Sequence, residues 1–151
     1  RQAEKVRAAT WRNDKQTMEL SIPLFEALIH ADPSYHRDHG QLGYALKDKA
    51  DPEYERAIGH LSEAIRLRDA LGSKGYRLYE LNRAECWIRS KTGTTQAILR
   101  DLRAATAAGL EKQIFNKDIE HISEWLKSEK FTKADLLSSS ATPSVEPQAQ
   151  A

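Results

Sequence analysis

His36, Asp38 and His39 are the residues whose types and spacing come nearest to a metal site. On a helix the three-residue step between the imidazoles puts both rings on one face, as two ligands of a zinc ion require. A closed site needs a second cluster, and His30, His60 and His121 stand at no spacing that recruits them. The pattern therefore reads as a polar helix face, and no metal is expected.

Other candidate chemistry fails on similar grounds. His36-Arg37-Asp38 is a string also found in kinase catalytic loops, but the chain has neither a glycine-rich loop nor the length of a kinase. Gly72-Ser73-Lys74-Gly75 is too short to cradle a phosphate and follows no strand pattern, so it reads as a turn. Cys86 is the sole cysteine, which excludes an internal disulfide and a cysteine-rich zinc site. It lies within an apolar helical pattern, where a buried structural thiol is expected. No nucleophile motif or carboxylate pair occurs in a recognisable setting. The expectation is a protein that is not an enzyme and needs no cofactor.

Charge is nearly balanced, with 23 basic and 22 acidic residues among 151 and a net charge of +1, so no global field draws the chain to nucleic acid. Arg66, Arg68, Lys74, Arg77 and Arg83 cluster mildly around Tyr76 and Tyr79, which could stack on bases. Glu63, Asp69, Glu80 and Glu85 dilute that patch, and nucleic acid is disfavoured as a partner. No run reaches the ~18 apolar residues of a membrane span. The chain begins at Arg1 rather than methionine, from which we expect a fragment of a longer protein, with the cytoplasm as the default compartment.

The elements that would position these residues read as helices separated by proline and glycine. The expected helices run from about Gln2 to Asn13 (burying Val6, Ala9 and Trp11), Ser21 to Ala31, Ser34 to Asp48, Pro52 to Asp69, Gly75 to Ser90, Thr94 or Thr95 to Gly109, and Glu111 to Lys130. Ser21 is the expected N-cap of the second, whose first turn accommodates Pro23 and whose apolar face is Leu24, Phe25, Leu28 and Ile29. Phe115, Ile119, Ile122 and Leu126 form the stripe of the last. One helical domain over residues 1–133 is expected, followed by a Ser/Pro/Gln-rich disordered tail over 134–151.

Leu42-Gly43 followed by Ala57, Leu61 and Ala64 is what two closely crossing antiparallel helices need: a small residue at the contact and larger groups beside it. The pattern recurs. Gly43 and Ala84 are 41 residues apart, and Ala57 and Ala97 are 40 apart.

With Phe25-Glu26-Ala27-Leu28 and Asp32-Pro33, with Tyr54-Glu55-Arg56-Ala57-Ile58, Leu61 and Ala64, and with Asn82-Arg83-Ala84-Glu85-Cys86-Trp87, the chain resembles the tetratricopeptide repeat family. His39 stands where that family prefers tryptophan. The resemblance implies an all-α, right-handed solenoid of about three helix-turn-helix units plus a C-terminal capping helix. It also implies a concave groove, here lined by Arg37, Gln41, Tyr44, Lys47, Asn82, Glu85 and Arg89, with Tyr44 as a rigid anchor. The set that clamps a C-terminal carboxylate in one subclass is replaced here by Val6, Thr10, Leu78 and Asn82, so that ligand is not expected. The function implied is a non-catalytic protein-interaction module that binds a peptide or partner helix, as the scaffolding or regulatory part of a larger protein. Two alternatives stand beside it: a homodimer formed through the capping helix at Trp125, and a helical appendage of an enzyme whose catalytic domain lies elsewhere.

Overall fold

The computed structural model describes residues 2, 4, 5, 15–117 and 119–138, and among them there is helix, turn and loop but no strand. The architecture is all-α. In chain order the helices are α1 (Lys15–Met18), α2 (Ser21–Ala31), α3 (His36–Asp48), α4 (Tyr54–Ala70), α5 (Leu78–Ser90), α6 (Thr95–Ala107), α7 (Glu111–Ile114), α8 (His121–Ser128) and α9 (Lys133–Leu137). Gln2, Glu4 and Lys5 are helical as well. The rest of the helix expected from Gln2 to Asn13, with Val6, Ala9, Thr10 and Trp11, lies outside the described residues, as does the sequence from Ser139 onward.

Local chemistry accounts for some of the helix starts. Pro23 sits in the first turn of α2, where its missing N–H has no intrahelical partner to lose. Ser21 is not the cap of that helix: it is the first helical residue, and its hydroxyl donates to the Met18 carbonyl at 2.8 Å. Thr94 does cap α6, its hydroxyl oxygen accepting from the Ala97 N–H at 3.1 Å.

The single helix expected from Glu111 to Lys130 is two, α7 and α8. Asn116 and Lys117 lie in the interruption, and an Asn side chain competes for backbone hydrogen bonds inside a helix. The break brings Ile114 into the same core as Ile122 and Leu126, in place of a straight stripe through Phe115 and Ile119.

Ordered structure also passes the boundary expected at residue 133. Thr132 and Asp135 form a capping box at the start of α9, and Leu136 is buried in the C-terminal core.

Successive helices from α2 to α6 pack each on the next; in addition α3 touches α5, α5 touches α8, and α6 touches α9. The core has two parts that meet on α5. Tyr79 and Cys86 face Phe25, Leu42, Leu46 and Leu61, whereas Leu81 and Ala84 face Ile98, Leu102, Ile114 and Ile122.

The α3–α4 crossing is built on Gly43. A Cβ there would meet Leu61 Cγ at 2.6 Å and the Ala57 carbonyl at 3.4 Å, and Ala57, Leu61 and Ala64 are fully buried. Leu24, expected on the inner face of α2, is instead exposed, and Ile22 takes its place in the core.

Candidate binding surface

Arg37, Gln41, Tyr44 and Lys47 descend one face of α3 at helical spacing, and Asn82, Glu85 and Arg89 descend one face of α5. The structure brings the lower end of the first row against the middle of the second. Lys47 Nζ lies 3.2 Å from Glu85 Oε2 and 2.7 Å from Asp48 Oδ1, and both Lys47 and Glu85 are buried. His121 Nε2, at the start of α8, reaches the same Glu85 oxygen at 3.3 Å.

Burial alone would lower the Lys47 pKa, but the Glu85 and Asp48 charges outweigh it and push it up to about 12. Burial would raise the Glu85 carboxyl, yet Lys47 and His121 hold it below the ordinary carboxylate range. The two shifts agree that the pair is ionised. Cys86 next to it is fully buried, and burial pushes its thiol up to about 12, so it is an inert structural thiol.

The upper ends of the rows remain partly open. Arg37 pairs with Glu4 at 2.8 Å and lies over the Tyr76 ring, 5.8 Å from its centroid. Gln41 and Asn82 are half-buried, the Asn82 amide donating to the Leu78 carbonyl at 2.8 Å. Arg89, at the opposite, lower end of its row, is exposed and lies over the Tyr54 ring at 5.6 Å. Tyr44, the expected anchor, is buried, its ring 6.1 Å from that of Tyr79.

Tyr76 at this face is exposed, 46 % accessible; the sequence offered it as a base-stacking candidate and not as a groove residue. It stacks on Tyr79 at 5.9 Å and receives the His36 ring edge-on at 4.8 Å. The backbone of Tyr76 is left-handed, at φ 59°, a conformation that costs a bulky residue about 1–3 kcal/mol. Its carbonyl accepts from Arg68 Nη1 at 3.2 Å.

Arg68 is itself fully buried and grips Glu80 through two hydrogen bonds of 2.6 and 2.7 Å. The loop before α5 is thus tied to α4 by an interior arginine. Beneath it, His36 Nδ1 shares a 2.8 Å hydrogen bond with the Tyr79 hydroxyl. Burial, then Arg68 and Arg37, lowers the His36 pKa, so the ring is held neutral.

Three further arginines of the basic cluster are engaged by carboxylates. Arg83 binds Asp101 through two hydrogen bonds of 2.7 and 2.8 Å, Arg77 pairs with Glu80 and Arg66 with Glu63. Trp125, the expected self-association residue, is half-buried and stacked on Phe131 at 6.2 Å. It borders a cleft of about 230 Å³ shared with Trp87 and Ile98.

Among the described residues no three His, Cys, Asp or Glu side chains converge on a point where a metal could sit, and no helix is long and apolar enough to cross a membrane. The sequence passed over one pairing: His39 and His60, read as unrelated, stack at 5.4 Å with their Nδ1 atoms 3.2 Å apart. The Gly43 crossing was the signal that could have found it. His39 lies one turn before Gly43, and His60 directly precedes its partner Leu61. Comparison of the chain with protein-family models, curated proteins and solved structures found no match.

Proposed function

We propose that this chain is a non-catalytic protein-interaction module of tetratricopeptide type, and that the face shared by α3 and α5 receives a peptide or a helix of a partner protein. In this reading α3–α4 and α5–α6 are successive units of a right-handed solenoid, with α8 and α9 continuing the stack. The direct contacts of α3 with α5, α5 with α8 and α6 with α9 support it, because stacked units bring alternate helices together.

The observation that carries the binding reading is Tyr76. It is an accessible aromatic ring on a strained backbone, held by a buried arginine and flanked by the Arg37 guanidinium. A rigid aromatic beside a cation, with the Gln41 and Asn82 amides on the adjoining helix faces, suits a main chain that carries a carboxylate.

The lower part of the face is closed by the Lys47–Glu85–His121 contacts, so the peptide lies toward Arg37 and Tyr76. The test is selection from a displayed peptide library against the full chain, then rebinding to Tyr76→Ala and Arg37→Ala. Enriched peptides that lose affinity for both variants support the reading. No enrichment, or binding indifferent to both substitutions, overturns it.

A further inference from the structure

On the opposite arm of α3, two imidazoles from different helices meet with their lone-pair positions facing. We propose that His39 and His60 form a two-histidine site for a divalent transition-metal ion of the zinc and copper class, bridging α3 to α4.

The distances fit. The two Nδ1 atoms are 3.2 Å apart. Two nitrogens each ~2.0–2.1 Å from a tetrahedral zinc ion stand about 3.3 Å from one another, so the observed separation suits an ion once each ring turns its Nδ1 lone pair off the line that joins the two atoms. The tautomer fits as well. His39 Nε2 lies 2.9 Å from the Pro33 carbonyl, which can only accept, so the proton sits on Nε2 and the neutral ring turns its Nδ1 lone pair toward His60. Ligating histidines are oriented in this way, by donating the other ring N–H to a carbonyl. Without metal, the His60 Nδ1 proton bridges the two rings; with metal, that proton moves to His60 Nε2 and both Nδ1 atoms become ligands.

Glu63, one turn beyond His60 on α4, is held by the exposed Arg66 and does not converge with the two rings. His39 is buried and His60 half-buried, so the ion approaches from the His60 side, with water completing its shell. With only two preformed ligands, affinity follows the general order in which copper(II) exceeds zinc. A bound ion would staple the two helices beside the Gly43 crossing and stabilise the fold by mass action.

The experiment is a zinc titration of the full, tag-free chain followed through the imidazole nitrogen resonances. The expected result is a joint shift of Nδ1 in His39 and His60 while His39 Nε2 keeps its proton. His60→Gln should weaken binding by at least about tenfold, since even outer-sphere partners are worth roughly 10–100-fold. His30→Gln should leave affinity unchanged. Shifts confined to His30 or His121, no shift with millimolar zinc or copper, or equal affinity in His60→Gln would each overturn the site. Should His60→Gln lose its helical circular dichroism, the wild-type resonances alone decide.

Discussion

Gly40 lies flat against the ring of Tyr79: a Cβ on that glycine would stand 2.1 Å from Tyr79 Cε1 and 2.7 Å from Cζ. The ring is fixed from its other sides by His36 and Tyr76, so it has nowhere to retreat. Gly40→Ala is therefore expected to destabilise the fold by about 1–3 kcal/mol, the cost of overpacking a filled core. Gly59 supplies the contrast. It is exposed in the middle of α4, and a Cβ added there would meet nothing within 4 Å, so Gly59→Ala should instead stabilise by about 0.5–1 kcal/mol. Urea melts of both variants read the two signs directly.

The α3–α4 crossing makes a coupled prediction. Gly43→Ala places a Cβ at 2.6 Å from Leu61 Cγ and 2.8 Å from Cδ2, while the Ala57 carbonyl at 3.4 Å is an ordinary neighbour. The strain falls on one side chain, so Leu61→Ala should relieve it. Leu61→Ala alone is expected to cost about 2–5 kcal/mol as a buried truncation. The double variant should be more stable than the sum of the two single losses by at least ~0.5 kcal/mol. Strict additivity would mean that the helices do not cross at these residues.

That crossing was legible in the sequence because its partners lie within one helix pair, where 3.6-residue periodicity and a small residue expose the contact. The Pro23 position and the Thr94 cap were legible for the same local reason. Gly40 against Tyr79 was not, since the two residues are 39 positions apart and belong to different pairs. The α7–α8 break was missed because the apolar stripe at Phe115, Ile119, Ile122 and Leu126 is continuous in sequence, while the fold prefers to bury Ile114. Of the candidate site, the resemblance to the repeat family supplied the residues of the α3 and α5 faces. It did not reveal that Lys47 and Glu85 neutralise each other, or that Tyr76 rather than Tyr44 is the accessible ring.

The Lys47–Glu85 pair predicts an asymmetry between single and double replacement. Both groups are buried, so Glu85→Leu leaves the Lys47 ammonium with Asp48 alone and Lys47→Met leaves the Glu85 carboxylate with His121 alone, each at a cost of up to about 3–5 kcal/mol. Replacing both together removes the stranded charge, and the double variant should recover most of that loss. Asp48, which also binds Lys47, limits the recovery. Thermal or urea unfolding of the three variants would show this. A double variant as unstable as the sum of the singles would mean that the pair does not interact in solution.

His36 sets the sign of a pH dependence. Its pKa is lowered in the folded state, chiefly by burial and further by Arg68 and Arg37, so below the ordinary value of 6.5 the unfolded chain binds a proton that the folded chain resists. Stability from this group is therefore complete above pH 6.5 and declines as pH falls through and below it. Protonation would also leave the Tyr79 hydroxyl facing an imidazolium that can only donate, which removes one of the two ways of sharing their 2.8 Å hydrogen bond. Unfolding free energies measured at about pH 7.5 and about pH 5.5, either side of that value, should fall more in the wild type than in His36→Gln, whose amide keeps a polar partner for Tyr79 without titrating. Equal slopes in the two proteins would show that the ring beneath Tyr76 takes up its proton as readily folded as unfolded, and that burial at this end of α3 does not hold it neutral.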